Sequence, residues 1–209
     1  MHIYFKPLQK SLPTILLTME HKRLWRKHAP AIEAAFLETT GAPFKSSIRA
    51  IVGIREEDIT DYQDWSHSGL PMSEAMALYY TSSAPGETAI LNQICHEVGH
   101  RLLQQYGKDV YLLGHDMDAL EKLYESHRQL YVFLIDVLNK AFDENTARHI
   151  LEYMERNYSD PKEGDESGKR YEQAWQWAAS LPAVKRRELT RAIFQNKHAN
   201  LDSWFKQLL

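Results

Sequence analysis

From Pro85 almost to the C-terminus, apolar residues recur at three- and four-residue steps. That spacing lines one face of an α-helix, so more than half of the chain is committed to helices before any other feature is read. The predicted helices run from about Thr88 to Tyr106, from about Asp116 to Phe142, and then near Asn145–Asn157, Arg170–Ala179, Pro182–Asn196 and Leu201–Leu208. Room for a sheet remains only between Pro43 and Ser83. There Ser47–Ile54 (SIRAIVGI) and Met76–Ser82 (MALYYTS) are rich in β-branched and aromatic residues and are bounded by Gly, Pro and Ser. Upstream, Thr14–Thr40 is again helical, with Pro30 expected to divide it into two helices and Gly41 to end it. This order predicts an α+β fold: a small mixed or antiparallel sheet, then the helix that carries the chemistry, then a predominantly helical C-terminal half.

A chain of 209 residues is long enough to build one hydrophobic core, and no internal repeat divides it. The expectation is a single domain over 1–209, with a helical part at 1–45, a core at 46–143 and a helical part at 144–209. The only linker-like stretch is SDPKEGDESGK at 159–169. With 25 Lys and Arg against 28 Asp and Glu, the near-neutral total offers no general pull toward nucleic acid or anionic membrane, and neither partner is expected. The longest apolar run, Tyr131–Leu138, is cut by Asp136 and is far short of a bilayer span. Cys95 is the only cysteine, so no intramolecular disulfide can form; a reducing, cytoplasmic location is expected, with leaderless export left open.

The chemistry concentrates in His96-Glu97-Val98-Gly99-His100. Four residues apart on a helix, His96 and His100 lie on one face a single turn from each other. Two imidazoles so placed can bind one metal ion, and Glu97 beside the first can reach a water on that ion. Leu91, Ile94, Val98 and Leu102 form a separate stripe suited to the core, and the two histidines point away from it. Gly99 in mid-helix costs roughly 1 kcal/mol relative to Ala, which predicts a packing reason such as the close approach of another backbone. Cys95 is about 100° around the helix from His96 and is excluded as a ligand.

The strand MALYYTS, a short loop and a helix bearing HEVGH resemble the zincin metallopeptidases over about Ile48–Asp136. The resemblance implies a zinc-dependent hydrolase that cuts peptide bonds in a peptide or protein substrate. It also implies that Met76–Ser82 holds that substrate extended at a sheet edge, and that Glu97 is catalytic, taking a proton from water and passing it to the leaving amine. Branches of the clan differ in the third ligand. The metzincin pattern is excluded because Leu103 and Tyr106 stand where it needs Gly and His, and the Gly-Thr-containing Asp loop of aspzincins is absent. What remains is the gluzincin arrangement, with a glutamate on the following helix.

Glu121 and Glu125 both qualify, four residues apart on one face. Glu125 is preferred, since it sits deep in YESHRQLYVFLIDV, whereas a carboxylate at Glu121 is explained by the helix dipole alone. His115, Asp116, Asp118 and His127 stay open as further candidates. The resemblance therefore implies Zn²⁺ held by His96, His100 and Glu125. Tyr124, His127, Tyr131, Tyr153 and Tyr158 are unranked candidates for an oxyanion-stabilising group.

Two other readings stand beside this one. Regulatory peptidases that cleave repressors also carry HExGH and a downstream glutamate, but their Glu-x-x-Ala-x-x-Phe pattern is not matched here, where Arg128 and Tyr131 follow Glu125 in place of Ala and Phe. A binding protein on a zincin scaffold would instead have a closed coordination sphere, or a cleft filled by 159–169. Elsewhere, the basic run His21–His28 reads as a solvated helix face with Leu24 and Trp25 in the core, and Lys185–Arg187 reads similarly. Trp175, Trp177, Trp204 and Phe205 read as anchors of the C-terminal helices, and Asp61–His67 as surface-loop decoration.

Overall fold

The computed structural model describes residues 1–54, 75–80, 85–110, 117–158 and 165–195. Three strands, β1 (Ile3–Pro7), β2 (Ile48–Ile54) and β3 (Ala75–Tyr80), form one sheet in the order β1-β2-β3. Both pairings are parallel, with Phe5 opposite Ala50 and Ala50 opposite Met76. This corrects the expectation of a mixed or antiparallel sheet. The physical reason is the connection: a 29-residue helix, α1 (Leu12–Thr40), lies between β1 and β2 and carries the chain back to the starting end of the sheet. Accordingly the central strand is buried on both faces at Ala50, Ile51 and Val52. No strand is expected at Ile3–Pro7 from its sequence, because Phe5 is its one buried side chain and the segment becomes a strand through its pairing with β2.

Helix α1 runs unbroken through Pro30, where two helices are expected. Residue 30 faces solvent, and Leu24, Trp25, Ile32 and Phe36 on either side of it are all buried. Loss of one backbone hydrogen bond, about 3 kcal/mol with the attendant ring clash, is outweighed by a core-facing stripe that needs both halves in one line. The Ser11 side chain caps the start by accepting from the Thr14 N–H at 3.4 Å. Gly41, at φ 69°, ends the helix as expected.

The remaining helices among the described residues are α2 (Glu87–Gln105), α3 (Ala119–Ala141), α4 (Glu144–Tyr158), α5 (Glu166–Ser180) and α6 (Ala183–Gln195), each within a few residues of expectation. The expected helix Leu201–Leu208 and the loop Asp61–His67 lie outside the described residues. Helix α3 is the hub: it packs on α1, α2, α4, α5 and α6, and Leu130–Leu134 are fully buried. Within its apolar run, Asp136 accepts a 2.6 Å ion-pair bond from Arg186 of α6, so one member of Lys185–Arg187 is a structural tie. Among the described residues no helix is long and apolar enough to cross a membrane.

Two contacts set the layers around the functional helix. At Gly99 a Cβ would collide with Cδ1 of Leu130 and stand 3.5 Å from Phe133, so glycine is what lets α2 approach α3. The close neighbour is a side chain, where the sequence pointed to a backbone. Under the sheet, buried His21 of α1 donates from Nδ1 to the Leu17 carbonyl (2.8 Å), which leaves Nε2 to accept from the Tyr80 hydroxyl (2.8 Å). Burial holds the His21 imidazole below its ordinary pKa of 6.5 and pushes the Tyr80 phenol upward.

Two outcomes follow. Gly99→Ala loses up to about 2 kcal/mol in denaturant melts, an overpacking penalty of about 1–3 kcal/mol reduced by roughly 1 kcal/mol of helix propensity. Combined with Leu130→Ala, it is expected to show a coupling energy that relieves the clash, and strict additivity would remove the contact from this account. For His21 the folded state prefers the neutral ring, so its contribution is complete above pH 6.5 and is lost as the pH falls below that value. The acid limb of the stability–pH curve is therefore shallower in His21→Gln than in the parent, and an unchanged slope would contradict the assignment.

Candidate metal centre

Helix α2 divides its surface by period. Leu91, Ile94, Val98 and Leu102 turn into the core and are 0–3% exposed, as the stripe predicts. His96 and His100 lie on the other side, yet His96 is buried too, because α3 covers that side. The Gly99–Leu130 approach brings the two helices together, and His127, three residues before Leu130, faces the HEVGH turn.

The three imidazoles form a nearly equilateral triangle, with ring centroids 5.0 Å (His96–His100), 5.2 Å (His96–His127) and 4.9 Å (His100–His127) apart. One ligating atom from each lies within 4.8 Å of the others. Nε2 of His100 and Nε2 of His127 are 3.4 Å apart. Two nitrogens bound at 2.0–2.1 Å to a tetrahedral ion stand about 3.3–3.4 Å apart, so this pair already has the spacing of ligands.

Protonation agrees with the geometry. His127 donates from Nδ1 to the Leu123 carbonyl at 2.7 Å, which leaves its Nε2 lone pair directed at His100. A backbone carbonyl fixing the second nitrogen is the usual support of a metal-binding histidine. Buried Nδ1 of His96 has no hydrogen-bond partner among the described residues. Desolvation and mutual repulsion drive His96 and His100 well below the ordinary histidine range, and burial alone takes His127 down to about 4. Three neutral imidazoles are thus presented together, a donor set suited to Zn²⁺ and related divalent ions.

Glu97 sits next to His96, and burial pushes its carboxyl up to about 7, with Arg101 opposing and Asp109 adding to the shift. Glu125 is outside the triangle: two residues from His127 on α3, it is turned about 200° around the helix, and it accepts from Arg128 at 2.8 Å. Arg128 in turn stacks 4.0 Å over the Trp177 ring. Glu121 lies in the exposed first turn, where its N–H bonds the capping Asp118 carboxylate at 2.8 Å. His115 and Asp116 lie outside the described residues, as does the side chain of Tyr158.

Aromatic rings enclose the triangle. Tyr131 stands 5.8 Å from His96 and 5.6 Å from His127, and Trp175 packs edge-on against Tyr131 at 5.5 Å. Tyr171 of α5 is nearest, with its ring 4.2 Å from that of His127. Tyr171 has no role in the sequence reading, although its four-residue spacing from Trp175 marks a shared aromatic face on α5. Tyr80 is likewise unanticipated; it lies within electrostatic range of Glu97 while its hydroxyl proton is held by His21.

Metal that binds only the folded chain raises its stability, by about 2.7 kcal/mol when the free ion is at a hundred times its dissociation constant. Zinc is therefore expected to raise the melting temperature of the chelator-treated protein, and His127→Ala to abolish the rise along with His96→Ala and His100→Ala. Glu125→Gln tests the other ligand: a rise preserved in Glu125→Gln assigns the site to three histidines, whereas a rise lost there and kept in His127→Ala assigns the third position to Glu125.

Comparison with models of protein families, with curated proteins and with solved structures finds no match for this chain. The functional reading rests on the site itself.

Proposed function

We propose that this chain is a zinc-dependent peptidase in which His96, His100 and His127 hold the ion and Glu97 is the general base and acid. The observation that carries the proposal is the 3.4 Å approach of the His127 Nε2 to the His100 Nε2 on the HEVGH helix, with the His127 proton held on the far nitrogen. Bound zinc supplies a Lewis acid that brings the pKa of water toward ~7 and polarises a carbonyl.

The chain's own groups do the rest. Glu97 receives the proton of an attacking water and delivers it to the departing amine nitrogen, as one residue acting in both directions. Its desolvated setting favours that exchange over permanent ionisation. The Leu123 carbonyl fixes the tautomer of His127, and Gly99 keeps the helices close enough for the three rings to face one another. Strand β3, at one end of the sheet order, supports a substrate held by strand addition ahead of the active helix.

One observation favours the second reading, a binding protein in which the ion is structural. Helix α5 rests against the triangle through Tyr171, and this limits access on the His127 side. The two readings separate in one experiment. Glu97→Gln retains stoichiometric zinc and, for a peptidase, lowers cleavage of a peptide library by at least about a hundredfold. A parent protein that binds zinc and cuts no member of the library assigns the ion to structure, and equal turnover in Glu97→Gln removes Glu97 from the chemistry.

A further inference from the structure

The face of α1 turned away from the core has a composition that the fold does not use. Taking 100° per residue, Leu12, Ile15, Leu16 and Met19 share one side of the helix, opposite the buried Leu17, His21 and Leu24. They are 69%, 38%, 54% and 59% exposed, so the first two turns present a contiguous apolar stripe to solvent. In the next two turns the same side changes character: Lys22, Arg23, Arg26 and Lys27 are all exposed. Arg23 is held by Glu20 and Glu87, while Lys22, Arg26 and Lys27 make no ion pair among the described residues.

The neutral total hides this asymmetry. Residues 1–30 contain six Lys or Arg and a single Glu, in a chain whose formal charge is −3. Reading Lys22–Lys27 as a merely solvated face accounts for the charges and leaves the four large apolar side chains beside them unexplained.

We propose that this face of α1 docks on an anionic lipid bilayer surface, with Leu12, Ile15, Leu16 and Met19 entering the headgroup–acyl boundary and Lys22, Arg26 and Lys27 lying on acidic headgroups. Exposed leucine, isoleucine and methionine have nothing to contact on a nucleic-acid backbone, whereas a bilayer interface accepts both kinds of side chain. A second copy fits poorly. Parallel pairing would set basic residues against basic ones, and antiparallel pairing would set them against the apolar turns. The proposal is independent of the metal centre, since the buried face of α1 is the one that holds the fold.

The test is co-sedimentation of the full chain with phosphatidylcholine vesicles that contain or lack phosphatidylserine, at two salt concentrations. Binding is expected only with phosphatidylserine and is expected to weaken with salt. Lys22→Gln with Arg26→Gln lowers partitioning roughly twenty-five-fold, from about fivefold for each cation removed. Leu16→Ser with Met19→Ser lowers it at least about tenfold, with the circular dichroism spectrum unchanged. The proposal is overturned by no binding to either vesicle, by equal binding to both, or by variants that bind like the parent. It is equally overturned if the same substitutions abolish self-association or duplex DNA binding and leave vesicle binding untouched.

Discussion

The contact between Gly99 and Leu130 is the constraint on which the site depends. Helices in contact normally stand 8–10 Å apart, at a distance set by the side chains between them. Removing the Cβ at residue 99 lets α3 settle against the turn that separates His96 from His100. His127, one turn earlier on α3, is then carried into the space in front of both rings. With any larger residue at 99, Leu130 would have to move, although it is fully buried in the most enclosed part of the core. The propensity lost to a mid-helix glycine is thus offset by the close approach of two helices, and that approach assembles the triangle.

The same contact separates what periodicity reveals from what it leaves open. HEVGH, the apolar stripe of α2 and the helix spanning Glu125 and His127 are legible because each is a local pattern with a period of 3.6. Which face of that second helix meets α2 is a tertiary fact. Glu125 and His127 are two residues apart and point about 200° from each other, so α2 can face only one of them. Both sit in apolar company, and a buried polar group needs a partner wherever it lies. Glu125 finds Arg128, three residues on, whereas His127 finds the Leu123 carbonyl with one nitrogen and the other histidines with the second.

The sheet leaves a fainter trace in the sequence than the helices do. Parallel and antiparallel pairing make similar demands on short strands, and orientation is decided by the connection between them. The deciding element is β1, whose five residues carry one buried side chain and end in proline. A strand that exists through its partner leaves little imprint on its own sequence. Once β1 is in place, α1 becomes a crossover that must span the sheet in one piece, and that demand overrides the local preference of Pro30 to break it.

The histidine triangle and the outer face of α1 represent opposite ways of holding unmet chemical demands. Three imidazoles with His96 and His127 buried and His100 half-buried carry charge only against desolvation and one another's repulsion, so the fold favours their neutral forms. A cation held by these nitrogens would couple its binding to folding, since the site exists only when α2 and α3 are packed together. On α1 the demand is exposed instead: apolar side chains in water beside cations that no carboxylate among the described residues neutralises. Helix packing brings the three rings together without giving their free nitrogens a partner, and α1 is anchored by its other face. Each leaves a demand that a group from outside the chain could meet: a metal ion at the histidine triangle, and on α1 the acidic surface proposed above.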